Sequence, residues 1–154
     1  MKNEFDLLCD IILHVSEVKE NLEDVCNAIK KRGIAHDRTK FQELEFDAFV
    51  STRDKFKKAT YGSKEYQECI DMIKPAIEHH YKNNNHHIKY YKNGINDMSL
   101  IDILELLADW KAASRRGQNA KTFKDSINFS LEKHNIQFPL KEIILNTAKS
   151  LNWI

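Results

Sequence analysis

The sequence predicts an all-α fold, a compact single-domain helical bundle spanning residues 1–154. Three observations carry the helical part of that expectation. Only four Gly and two Pro occur in 154 residues, too few for the frequent turns of a sheet protein. Charged residues make up 31% of the chain, as solvated helix faces require. Apolar residues recur at three-and-four spacing, the period of one side of a helix.

The first such run goes from Phe5 to Ile29, with Leu8, Ile12, Val15, Val18, Leu22 and Val25 on one stripe and Gly33 as its stop. His14 lies three residues after Ile11 and four before Val18, so it is expected on or beside a buried stripe. A second helix follows through Leu44, Phe46, Phe49 and Phe56 and ends near Gly62. Ser63 can cap a third, which carries Ile70, Ile73, Ile77 and His80 on one side and is bent by Pro75. Asn83-Asn-Asn breaks that pattern, His86 and His87 fall in the loop, and Gly94, Asn96 and Asp97 prolong it. Ser99 starts the next helix, with Asp102 completing an acidic capping box and Leu100, Ile103, Leu104, Leu107 and Ala108 facing the core. Residues 117–121 read as a polar loop, Lys124 to Lys133 as a short helix, and Pro139 as the first turn of a last helix through Leu151.

Composition narrows the function classes. A formal charge of +1 gives no global positive field for extended nucleic-acid binding, although a small cationic pocket is compatible with it. No stretch of about 18 uncharged apolar residues could span a bilayer, and Met1 to Phe5 carries acid rather than an apolar leader, so no membrane partner and a cytoplasmic location are expected. Cys9, Cys26 and Cys69 are odd in number and scattered through apolar patterns, as small core thiols in a reducing compartment would be.

Four of the seven histidines fall between His79 and His87, with His14 and His36 upstream and Asp37 directly after the latter. Nitrogen and carboxylate donors in that mixture suit a divalent transition metal (Mn, Fe, Zn, Co or Ni), as one or two ions. Asp109 sits in mid-helix among Leu106, Leu107 and Ala108, where an unpartnered carboxylate costs several kcal/mol, so a positive group should face it. The metal-ligand candidates are His14, His36, Asp37, His80, His86, His87 and Asp109. His79 and His80 differ by about 100° around a helix, so one unbroken segment cannot send both to one ion, and His80 aligns with Ile73 and Ile77. His134, near a helix end, is assigned to exposed carbonyls, and Trp110, Tyr90 and Tyr91 to packing.

The order His14, His36-Asp37, Asp109 resembles the HD superfamily of metal-dependent phosphohydrolases, whose mononuclear members use His, His-Asp and Asp. His36-Asp37-Arg-Thr-Lys40 is similar to the His-Asp-x-x-Lys element of HD phosphodiesterases, in which the Lys meets a substrate phosphate. Dinuclear members insert further His ligands between the His-Asp pair and the final Asp, where His79, His80, His86 and His87 stand. A closer likeness, over nearly the whole chain, is to an uncharacterised family of bacterial and phage-encoded HD-like proteins. It rests on His36-Asp-Arg-Thr-Lys-Phe41, Ala76-Ile-Glu-His-His-Tyr81, Asn85-His-His87, Asp97-Met-Ser-Leu-Ile-Asp102, Asp109-Trp-Lys-Ala112 and Asn146-Thr147. The chain departs from that family at Ile88 and Lys89, where its members tend to have a Pro and an acid.

The resemblance implies hydrolysis of a small phosphorylated substrate, a nucleotide or a cyclic or oligonucleotide messenger, by metal-activated water. Asp37, Lys40 and Glu105 are the catalytic candidates: Asp37 as a bridging ligand, Lys40 on phosphate, Glu105 orienting a water or a ligand imidazole. Lys40, Lys111 and Arg115 are the substrate-binding candidates. Two other readings start from the same residues. The surplus histidines fit a dinuclear-iron HD oxygenase, and a non-enzymatic helical protein could bind metal or nucleotide without turnover.

Overall fold

The computed structural model describes residues 2–60, 62–115 and 122–154; the loop expected at 117–121 lies outside them. It is all-helical, with no strand among the described residues. The α-helices are α1 (Lys2–Ala35), α2 (Glu43–Lys58), α3 (Lys64–Met72), α4 (Lys74–Asn83), α5 (Leu100–Ser114), α6 (Phe123–Lys133) and α7 (Leu140–Ser150). Short 3₁₀ turns occupy Arg38–Phe41, Ile88–Tyr90 and Gly94–Asp97. The chain divides into two units, Met1–His36 and Asp37–Ile154.

The first unit is α1. Gly33 does not end it; one Gly near a helix end costs only about 1 kcal/mol, and the helix carries on to Ala35. Its apolar stripe is there but exposed rather than buried: Leu8, Ile12, Val15 and Leu22 keep half or more of their surface, and His14 is exposed with them. A unit made of one helix has no second surface of its own to cover a stripe. Cys26 is likewise exposed and Cys9 half-buried, so of the three thiols only Cys69, on α3, is a core residue.

In the second unit α2 packs on α3 and α4, and α5 packs on α6. The helix expected to bend at Pro75 is two helices. Ile73 ends α3 and caps α4, and Pro75 sits in the first turn of α4, where its missing N–H removes no helical hydrogen bond. Ser63 caps α3 by accepting from the Tyr66 amide at 3.2 Å. At α5 the capping box is complete: Ser99 Oγ accepts from the Asp102 amide, and Asp102 Oδ2 accepts from the Ser99 amide at 2.9 Å. Thr122 caps α6, and Pro139 stands just before α7 rather than inside its first turn.

The apolar core gathers Leu106 and Leu107 of α5, Ile127 and Leu131 of α6, and Ile144 and Ala148 of α7, all at most 4% exposed. Each buried Leu or Ile contributes roughly 1.5–3 kcal/mol of transfer free energy, and this block fixes α5 as the rigid base on which Glu105 and Asp109 stand. Against α3 and α4, α2 turns a different kind of ridge. Glu45, Phe49, Thr52 and Phe56 are its inward positions, with Glu45 and Thr52 wholly buried, while Leu44 and Phe46 face outward at 51% exposure.

Candidate metal centre

The site begins at Asp37, whose backbone is left-handed (φ 55, ψ 19). Asp and Asn enter that region more readily than other residues with a Cβ, because their short polar side chains bond locally. The Lys40 amide donates to the Asp37 carbonyl at 2.9 Å, closing the 3₁₀ turn Arg38–Phe41. The same turn brings the Lys40 ammonium onto Asp37 Oδ2 as an ion pair and leaves Oδ1 directed at the histidines.

Helix α4 supplies His79 and His80, and the 100° between them is resolved by one carboxylate. Glu45, 0% exposed on α2, accepts from His79 Nδ1 at 2.7 Å with Oε1 and from His80 Nδ1 at 2.9 Å with Oε2. His79 therefore serves the support, and His80, buried, serves the centre. Asn84, at the end of α4, donates to Thr39 Oγ1 at 2.8 Å and to the His80 carbonyl at 2.7 Å, tying the turn after Asp37 to α4. The chain then reverses, with the His87 amide donating to the Asn84 carbonyl at 3.2 Å. His86, 1% exposed, thereby reaches α5, where its Nδ1 lies 3.1 Å from Glu105 Oε1.

With a carboxylate beside Nδ1 of His80 and of His86 to accept from it, Nε2 of each ring is the atom turned toward Asp37. Both Nε2 atoms face one point. His80 Nε2 is 3.2 Å and His86 Nε2 3.5 Å from Asp37 Oδ1, and His87 Nε2 is 2.8 Å from His80 Nε2. One ligand atom from each of Asp37, His80, His86 and His87 lies within 4.8 Å of the others. Burial, and after it the neighbouring His86 and His80, push the His87 imidazole down to about 3, so it is neutral at physiological pH.

These residues fit a divalent transition metal. Donors about 2.1 Å from an ion are separated by roughly 3.4 Å when tetrahedral and about 3.0 Å when cis-octahedral; the observed spacings of 3.2, 3.5 and 2.8 Å fall within about 0.2 Å of that range. Neutral imidazoles and one carboxylate are the donor chemistry such ions take. Glu45 and Glu105 behind His80 and His86 form the carboxylate–histidine pairs that fix tautomer and ring orientation at metal sites.

The remaining expected residues are placed as follows. His36 is joined to Asp37 by a peptide bond and closes the first unit; His14 lies on α1 of that unit. Asp109, one turn after Glu105, stands outside the four-donor group and lines a 200 Å³ pocket together with His87, Lys89, Trp110, Lys133 and His134. Lys89 and Lys133 are the cations of that pocket's wall. Burial, then the Lys133 and Lys89 charges, hold His134 below the usual imidazole range, and its ring stacks on Trp110 at 5.9 Å rather than serving a helix end alone. Lys111 extends over the rings of Phe123 and Trp153, at 5.2 and 4.9 Å, and Arg115 follows the end of α5. Glu45, Thr39 and Asn84 were not expected from the sequence. Glu45 had a signal, since it is spaced four, seven and eleven residues before Phe49, Thr52 and Phe56.

A family model covers residues 3–150, described as a family of unknown function, DUF5662. The chain belongs to DUF5662. Neither the curated proteins nor the solved structures contain a match. The assembled cluster of this DUF5662 member is thus read from its own residues.

Proposed function

We propose that this DUF5662 protein is a metal-dependent phosphohydrolase of the HD type, acting on a small phosphorylated molecule of the nucleotide or cyclic or oligonucleotide messenger class. The convergence of Asp37, His80, His86 and His87 on one point carries the reading. A bound divalent ion would acidify a water and neutralise charge developing on the phosphoryl oxygens. Asp37, His80, His86 and His87 would hold it, with Glu45 and Glu105 keeping the His80 and His86 rings aimed. Lys40, at 39% side-chain exposure, is tied to Asp37 yet reachable from solvent, so its ammonium can turn to a phosphate oxygen as a point charge. Asp109, one helical turn from Glu105, faces the pocket beside His87 and can accept a hydrogen bond from a substrate or water there.

The test is cleavage of a panel of nucleotides, cyclic and linear phosphodiesters and other phosphoesters, followed by phosphate release and by chromatography of the products, with protein reconstituted with Mn, Fe, Zn, Co or Ni, alongside elemental analysis. Asp37→Asn keeps the backbone preference of residue 37 and removes the anionic ligand. Turnover should fall at least 100-fold with the helical signal unchanged. Absence of metal uptake, or turnover that survives Asp37→Asn, refutes the proposal.

A further inference from the structure

The surface beside the metal centre carries a second feature, a 660 Å³ cleft whose lining includes Ile70, Ile77, Tyr81, Lys89 and Tyr90. Tyr81 and Lys89 also line the 200 Å³ pocket that contains His87 and Asp109. The two cavities therefore meet at one pair of side chains, and that pair is itself in contact, with Lys89 Nζ 5.2 Å from the centre of the Tyr81 ring. The Tyr81 ring also lies 4.8 Å from the His87 ring, and His87 in turn touches His80. Side-chain contacts thus link the cleft to the donor group through Tyr81 and His87.

The two compartments differ in size and lining. A volume of 660 Å³ lies in the ordinary range for pockets that enclose an organic ligand, about 300–1,000 Å³, and 200 Å³ falls below it. The larger sets isoleucine side chains and two tyrosine rings, one of them, Tyr90, 44% exposed, among the charged Asp71, Lys74, Glu78 and Lys82. The smaller has Lys89 and Lys133 in its wall together with Asp109, two cations to one carboxylate.

Resting on the phosphohydrolase reading, we propose that the two cavities are one substrate site. The phosphoryl group enters the small pocket at His87, with Lys89 against its oxygens, and a planar aromatic ring lies in the cleft against Tyr81 and Tyr90. The substrate is thereby a phosphoester of a nucleoside-sized aromatic group rather than a bare sugar phosphate. Lys89 acts at the junction, where a cation already held over a ring can reach phosphate without leaving Tyr81.

The experiment uses the full chain loaded with Mn²⁺ and compares AMP with ribose 5-phosphate by calorimetric titration. AMP should bind about tenfold tighter, the usual worth of one base–aromatic stack. Tyr90→Ala, at an exposed position, should erase that preference and leave ribose 5-phosphate unchanged, whereas Lys89→Ala should weaken both by a similar factor. Equal affinities, failure of both probes to bind, or a preference for AMP that survives Tyr90→Ala overturns the inference. Elemental analysis of the same samples separates the two ideas: a chain that takes up no Mn²⁺ ends the phosphohydrolase reading, while the ring preference of the cleft is read from the titration itself.

Discussion

Glu45→Gln is the sharpest probe of how the centre is built. The substitution keeps volume inside a wholly buried site and changes one property, replacing a carboxylate that accepts from two imidazoles by an amide that accepts on one side and donates on the other. One of His79 and His80 then faces an N–H₂ group. If it is His80, its Nδ1 must become the acceptor and its proton moves to Nε2, the atom 3.2 Å from Asp37 Oδ1 that would bind metal. Loss of such a partner ordinarily costs 10–100-fold in metal affinity. At a free metal concentration 100 times the wild-type Kd, binding stabilises the native chain by about 2.7 kcal/mol; a 10–100-fold weaker site leaves about 1.4 to 0.4 kcal/mol. For a chain of this length, with roughly 2–4 °C per kcal/mol, the metal-induced rise in Tm should shrink by about 3–9 °C. Titration calorimetry with Mn²⁺ or Zn²⁺ and thermal melts with and without the ion measure both numbers. A Glu45→Gln protein that melts like wild type and binds the ion equally tightly would show that the support inferred for His80 has no influence on the site.

Three further outcomes follow from the same geometry. In metal-free protein His87 has a folded pKa near 3 against about 6.5 unfolded, so the unfolded chain binds the extra proton. The stabilisation from keeping His87 neutral is complete above pH 6.5 and is lost as pH falls toward 3; urea midpoints at pH 7.5 and 5.5 should show the drop, and His87→Gln should flatten it. Ile127→Ala, at a site with no exposed surface, should destabilise by about 2–5 kcal/mol in denaturant titrations without altering metal affinity. Ser99→Ala removes the cap of α5 and should cost about 1 kcal/mol, most of it visible as faster amide exchange over residues 100–103.

The helices and the α5 capping box were legible because both depend on local spacing: period, cap and breaker all lie within one turn of each other. Where the reading failed, the deciding partner was remote. The apolar run Leu44, Phe46 and Phe49 phased α2 by its most hydrophobic residues, yet the buried ridge contains Glu45 and Thr52, because Glu45 answers two imidazoles 34 and 35 positions away. The stripe of α1 shows the same limit from the other side. Periodicity marks which side of a helix is apolar and says nothing about what, if anything, lies over it. Of the seven ligand candidates, residue order singled out His14, His36, Asp37 and Asp109, whereas the donors that share one group are Asp37 with His80, His86 and His87; Glu105 stands beside His86, where an orienting carboxylate would be placed. Spacing could not separate Asp109, a helical turn further on, because one turn of α5 is enough to move a carboxylate from the back of an imidazole to the wall of the next pocket.

The unusual backbone at position 37 has an evolutionary corollary. Asp, Asn and Gly are the residues that tolerate this conformation best, and Asp codons become Asn or Gly codons by a single base change. Silent relatives that retain the helices and have surrendered the anionic donor are therefore one mutational step away. Among DUF5662 sequences, the letter at this column should sort members able to hold an ion from those that keep only its scaffold.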